Sequence, residues 1–180
     1  MVKNHETKDS ARKEILMRFE RFVGIDPSLR TGFVALSPYG EVIEMKEIER
    51  DGDDPARMSN LIQAVVDAVH DTDFVAIEGF GYASQKVSYS EGLVGAFGLS
   101  CIEGAFRMLM SPLPFSKIRW SERERQKEQV VLEVYKRWGF ESDSNNVTDA
   151  YVLAQIARAL NGQVELAKFQ QEALNKISKE

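Results

Sequence analysis

Three acidic residues stand where chemistry could be done: Asp26, Glu78 and Asp149. Asp26 closes the apolar run that begins at Phe22 and is followed by the turn formers Pro27 and Ser28. Glu78 closes a second apolar run, Phe74–Ile77, and Asp149 lies at the start of a helical stretch, after Asn145-Asn146-Val147-Thr148. Asn146 and Asp149 are spaced to share one helix face. Carboxylate oxygens are hard ligands that suit Mg²⁺ or Mn²⁺. Two such ions in one acidic cluster can activate a water and stabilise the leaving oxygen of a phosphodiester. Each residue also has an ordinary structural use. Asp26-Pro27 can open a turn, Glu78 can end a strand at the surface, and Asn146 can cap a helix whose dipole favours Asp149. Their joint placement at the ends of core elements is what points to a site.

The elements that must position them follow from the apolar pattern. Phe22–Ile25, Gly32–Ser37 and Val42–Ile48 read as strands, separated by turn signals at 27–28 and 37–40, so they form an antiparallel meander. Residues 51–55, Asp-Gly-Asp-Asp-Pro, stop the sheet and start a helix, with Asp54 as N-cap and Pro55 at the first helical position. Met58, Leu61, Ile62, Val65, Val66 and Val69 give that helix its apolar stripe. Phe74–Ile77 is a fourth strand. A right-handed crossover lays it parallel to the first strand, against that strand's free edge. Asp26 and Glu78 then end neighbouring strands, about 4.8 Å apart. Two carboxylates that close repel strongly unless a cation lies between them.

Further along, Tyr89–Met110 reads as a long helix rich in small residues, ended by Pro112 and Pro114, and Phe115–Ile118 as a fifth strand. Arg123–Trp138 is a helix stopped by Gly139, and Val147–Leu160 another, stopped by Asn161-Gly162. The expected architecture is α/β: a mixed five-stranded sheet, an antiparallel meander plus parallel strands, flanked by helices. Residues 1–20 read as an N-terminal extension, 21–162 as the functional domain and 163–180 as a C-terminal helix or tail.

Composition narrows the class. With 43% apolar residues the chain is globular, and 180 residues suit one domain. A single cysteine, Cys101, leaves no intrachain disulfide and fits a reducing compartment, so a cytoplasmic location is expected. No signal peptide and no membrane span are expected, since no run of about 18 apolar residues exists. The net charge of −5 opposes nucleic-acid binding if taken as a sum. Its distribution does not: acids concentrate in Glu41–Asp54, and bases in the first 21 residues and in Lys117–Lys127.

The motifs resemble those of the RuvC-type Holliday-junction resolvases, with the smaller phage-type members nearest in look. Val23-Gly24-Ile25-Asp26-Pro27-Ser28 with Thr31-Gly32 resembles the first motif of that family, Ala76-Ile77-Glu78 the second, and Asn146 through Ala154 the C-terminal acidic motif. The three occur in order across residues 22–160. The resemblance implies a ribonuclease H-like fold, a homodimer, and cleavage of four-way DNA junctions with two Mg²⁺ or Mn²⁺ ions per site, leaving a 5′-phosphate and a 3′-hydroxyl. It makes Asp26, Glu78 and Asp149 metal ligands. The chain departs from the family at Asn146, where an acid or a histidine is usual. An amide offers a carbonyl oxygen but no charge, which predicts weaker metal binding or recruitment of Asp143.

The resemblance also assigns DNA contacts. Lys117, Arg119, Arg123 and Lys127 fall where the family carries a basic DNA-binding stretch, and Lys127 is placed to stabilise charge developing in the transition state. The same residues, interleaved with Glu122, Glu124 and Glu128, also make an ordinary salt-bridged helix start. Tyr82 is in the region of an aromatic that stacks on an unpaired base, whereas Phe80 reads as loop packing. The small residues of 89–110 fit either a dimer interface or close packing on the sheet. Three other readings compete: a ribonuclease H-like nuclease acting on structured RNA, a junction-binding protein with weakened catalysis, and a phosphotransferase of the actin and sugar-kinase type. The last shares a Gly-x-Asp opening but needs a second, related domain that 180 residues do not supply.

Overall fold

The computed structural model describes residues 19–78, 107–111 and 123–163, with the backbone alone for 107–111, 123–127 and 129. In chain order the elements are β1 (Arg21–Asp26), β2 (Thr31–Leu36), β3 (Val42–Ile48), α1 (Ala56–Asp67), β4 (Asp73–Glu78), β5 (Arg107–Ser111), α2 (Arg123–Trp138) and α3 (Asn145–Leu160). The five strands form one sheet in the order β3-β2-β1-β4-β5. β1–β2 and β2–β3 pair antiparallel; β1–β4 and β4–β5 pair parallel. The expected meander, crossover and mixed sheet are all present.

Alternation along the strands sorts the core into two faces. Phe22, Val34, Leu36 and Ala76 pack under α3, against Ala150, Leu153, Ala154 and Ala157. Val23, Ile25, Phe33, Ala35, Val75 and Ile77 face the other way, onto Leu61 and Val65 of α1. Burying each of the larger side chains contributes roughly 1.5–3 kcal/mol. Helix α3 is buried nearly all round from Val147 to Ala159 because it is covered twice, by the sheet and by α2. Tyr151 of α3 stacks on Phe140 at 3.9 Å and meets Trp138 edge-on at 5.8 Å.

Register between the parallel strands β1 and β4 is pinned at the end where both begin. Arg21 lies opposite Asp73 and grips its carboxylate with two hydrogen bonds, Nε–Oδ1 at 2.8 Å and Nη2–Oδ2 at 2.6 Å. The backbone N–H of His70 donates to the same carboxylate at 2.8 Å.

Three expectations need correction. Residues 107–110 belong to a strand, not to the end of a helix. Met-Leu-Met suits a helix by propensity, but the open edge of β4 takes this segment as its parallel partner. Asp54 does not cap α1: the helix begins at Ala56 with Pro55 in the cap position, and the Asp54 carboxylate instead takes Arg57 at 2.9 Å. Helix α3 starts earlier than the apolar pattern suggests, and Ser144 rather than Asn146 is its N-cap, accepting from the Val147 N–H at 3.2 Å. The segments 1–18, 89–106, 115–118 and 164–180 lie outside the described residues.

Candidate active site

β1 and β4 run side by side with Ile25 opposite Ile77, so the next residues, Asp26 and Glu78, end the two strands together. Both share strand parity with the residues that pack under α3, namely Phe22 on β1 and Ala76 on β4. On the other side of Asp26 the register continues to Gly32 and then to Glu47. One row across the sheet therefore reads Glu47, Gly32, Asp26, Glu78, with Ser111 of β5 beyond.

The gap at Gly32 is where α3 comes down. A β-carbon there would lie 2.0 Å from the Asn146 carbonyl oxygen, and one on Gly24 would lie 1.9 Å from that of Ala150. Real β-carbons do not approach that closely, so both positions must be glycine for the helix to seat. The seat brings the first turns of α3, and Asp149 with them, to the carboxylate end of the sheet.

The environment of Glu78 registers both neighbouring acids. Asp26 is buried and Glu78 half-buried. Burial, a hydrogen bond to Asp26, and the charges of Asp26 and Asp149 together push the Glu78 carboxyl from its ordinary 4.5 up to about 9. Loss of hydration raises a carboxyl because the charged form loses most, and neighbouring anions add to it. At neutral pH the Asp26–Glu78 pair therefore holds a proton shared between the two carboxyls. The side chains do not close into a cage: among the described residues, no group of three or more His, Cys, Asp or Glu is arranged to hold a metal ion. The donor atoms are carboxylate oxygens, the chemical type that hard divalent cations take. Three acids share one region, and their mutual repulsion is relieved by a proton that a cation can replace.

Asn146 is turned to another task. Its amide nitrogen donates to the Arg30 carbonyl at 2.8 Å and to Glu47 Oε1 at 3.2 Å. Ser144 Oγ also donates to Glu47 Oε1. Glu47 thus receives two hydrogen bonds from the start of α3 and ties the helix to β3. Sequence reasoning missed Glu47. It sits in an alternating strand like many surface acids, and only the register across Gly32 gives it meaning. Asp143 is exposed, ahead of the Ser144 cap. Arg123 and Lys127 lie on the first turns of α2, with their side chains outside the described residues. Phe80, Tyr82, Lys117 and Arg119 lie outside them altogether.

No family model and no curated protein matches the sequence. Solved structures do match. Thermus thermophilus RuvC is 18% identical with a TM-score of 0.57, covering 78% of this chain and 96% of that one. The chain has the fold of the RuvC-type resolvases. Thermus thermophilus RuvC in complex with Holliday junction substrate aligns at 19% identity and TM-score 0.55, over 77% of this chain and 91% of that one. The Fowlpox virus resolvase, in complex with substrate Holliday junction DNA, aligns at 11% identity and TM-score 0.54, over 78% and 97%. The RuvC-type fold is the ribonuclease H-like mixed sheet expected from the motifs. Among the described residues no helix is long and apolar enough to cross a membrane.

Proposed function

We propose that this chain is a divalent-metal-dependent, structure-selective DNA endonuclease that resolves four-way junctions by paired nicks. The observation that carries the reading is the meeting of Asp26, Glu78 and Asp149 at one end of the sheet, with Glu78 driven to hold a proton. The RuvC-type fold adds to it, since the similar structures include resolvases bound to Holliday junction DNA.

Asp26, Glu78 and Asp149 would hold the ions, and Mg²⁺ or Mn²⁺ so bound supplies activation of a water and stabilisation of the leaving oxygen. The chain's own work is positioning. β1 and β4 fix two acids in register, and the glycine seat fixes the third. Glu78 gives up its proton as the site fills, so filling the site releases acid. Asn146 offers an oxygen at most, because its nitrogen is engaged by Arg30 and Glu47. Lys127 is assigned to the developing charge, and Tyr82, Lys117, Arg119 and Arg123 to the DNA. A twofold homodimer would present two such sites to two like strands of a junction.

The test is incubation of the purified protein with a synthetic four-way junction and Mg²⁺, beside Asp26→Asn. Symmetric paired nicks that vanish in the variant are expected. A folded protein that leaves the junction intact with Mg²⁺ and with Mn²⁺, while cutting structured RNA, would move the reading to an RNA nuclease of the same fold.

A further inference from the structure

The turn that joins β1 to β2 follows Asp26 directly and is held from several sides. Ser28 Oγ donates to the Arg30 carbonyl at 2.6 Å, Thr31 Oγ1 donates to the Ser28 carbonyl at 2.8 Å, and Asn146 Nδ2 donates to the Arg30 carbonyl at 2.8 Å. The main chain of residue 30 is thus fixed at the carboxylate end of the sheet. Its side chain is the opposite, 66% exposed, with Nε 3.0 Å from Glu49 Oε2, itself 60% exposed. Leu29 beside it is also exposed.

A hydrogen-bonded turn that presents an exposed arginine four residues after Asp26, at the carboxylate end of the sheet, has an electrostatic use. Nucleic acid is a polyanion, and the charged acids at this end of the sheet repel it from the place where it must lie. A guanidinium on the rim offsets that repulsion and matches a phosphate with two parallel hydrogen bonds. Its present partner is easily given up, because exposed ion pairs contribute little net stability. The Glu49 carbonyl accepts from the neighbouring Arg50 Nη1 at 2.8 Å.

We infer that Arg30 binds a backbone phosphate of the substrate strand, and that Glu49 is the internal counter-anion which that phosphate displaces. The inference rests on the proposed nuclease reading and extends it to a residue on the first motif's turn. Arg30 does its structural work through its carbonyl, so removing the side chain leaves the turn intact.

The experiment measures binding of a fluorescent four-way DNA junction in EDTA, where cleavage is silent, across a series of salt concentrations. Arg30→Ala should bind roughly tenfold more weakly at low salt and lower the slope of log K against log salt by about 1. Arg30→Lys should keep the slope and lose only part of the affinity. Glu49→Gln should bind more tightly than the unaltered protein. Arg30→Ala with unchanged affinity, or with weaker binding but an unchanged slope, overturns the inference alone. An unaltered, folded protein that does not bind the junction at all overturns the nuclease reading beneath it.

Discussion

Glu78 and Asp26 are joined by a hydrogen bond between two parallel strands, and the pair keeps a proton that isolated carboxyls would have lost. The Glu78 carboxyl titrates near 9 in the folded chain against an ordinary 4.5. Between these values the folded state binds more protons than the unfolded state, so this group's stabilisation falls as pH rises. It is complete below about 4.5 and gone above about 9. Thermal melts in EDTA at several pH values, for the unaltered protein and Glu78→Gln, measure it. The difference in Tm between the two should move against the unaltered protein as pH increases. A constant difference would refute the shared proton.

Replacing Asn146 by Asp adds a charge for a cation but removes the donor that Arg30 and Glu47 use. The new carboxylate would face the Arg30 carbonyl and the Glu47 carboxylate. Without metal the variant should therefore melt lower than the unaltered protein. Added Mg²⁺ should narrow that deficit. A variant that melts at least as high in EDTA would show that the two hydrogen bonds contribute nothing.

Gly24→Ala forces a methyl group against the backbone of α3, at Ala150 and Ala154. Backbone cannot turn aside as a flexible side chain does, so the cost should lie near the upper end for overpacking, about 3 kcal/mol. Denaturant unfolding gives the number. Calorimetric titration with Mg²⁺ should show weaker binding as well, since Asp149 moves with the helix.

Asp73→Asn tests the clamp at the far end of β1 and β4. Asp73 is fully buried, and its loss of charge strands the Arg21 guanidinium. Breaking a buried pair from one side costs about 3–5 kcal/mol, and the low end is expected because Glu44 stands 3.5 Å from Arg21. Equilibrium unfolding measures the loss. Junction cleavage at a temperature where the variant is folded should be nearly unaffected, because the clamp lies at the opposite end from the carboxylates.

Most of the sheet was legible because its signals are local. The apolar runs at Phe22, Gly32, Val42 and Phe74 each lie between turn residues, and the handedness of the crossover leaves one place for the fourth strand. That alone brings Asp26 beside Glu78. Residues 107–111 were not legible, since a short Met-Leu-Met run has no periodicity to separate strand from helix. The Ser144 cap was obscured by the two asparagines after it, both good caps by type. Glu47 could not be found at all, because its role depends on a hydrogen-bonded neighbour 97 positions away. Gly24 and Gly32 stood in the motif, but no local rule says that a helix must rest on them.

The alternation of β1, β2 and β4 divides the mutational load of the domain. Phe22, Gly24 and Asp26 answer to α3 and the acids, while Val23 and Ile25 answer to Leu61 and Val65 on the reverse side. Substitutions on that reverse side, if they conserve volume, can accumulate without reaching the acids. Half of each central strand thus answers to packing on α1 alone, and half also sets where the acids stand.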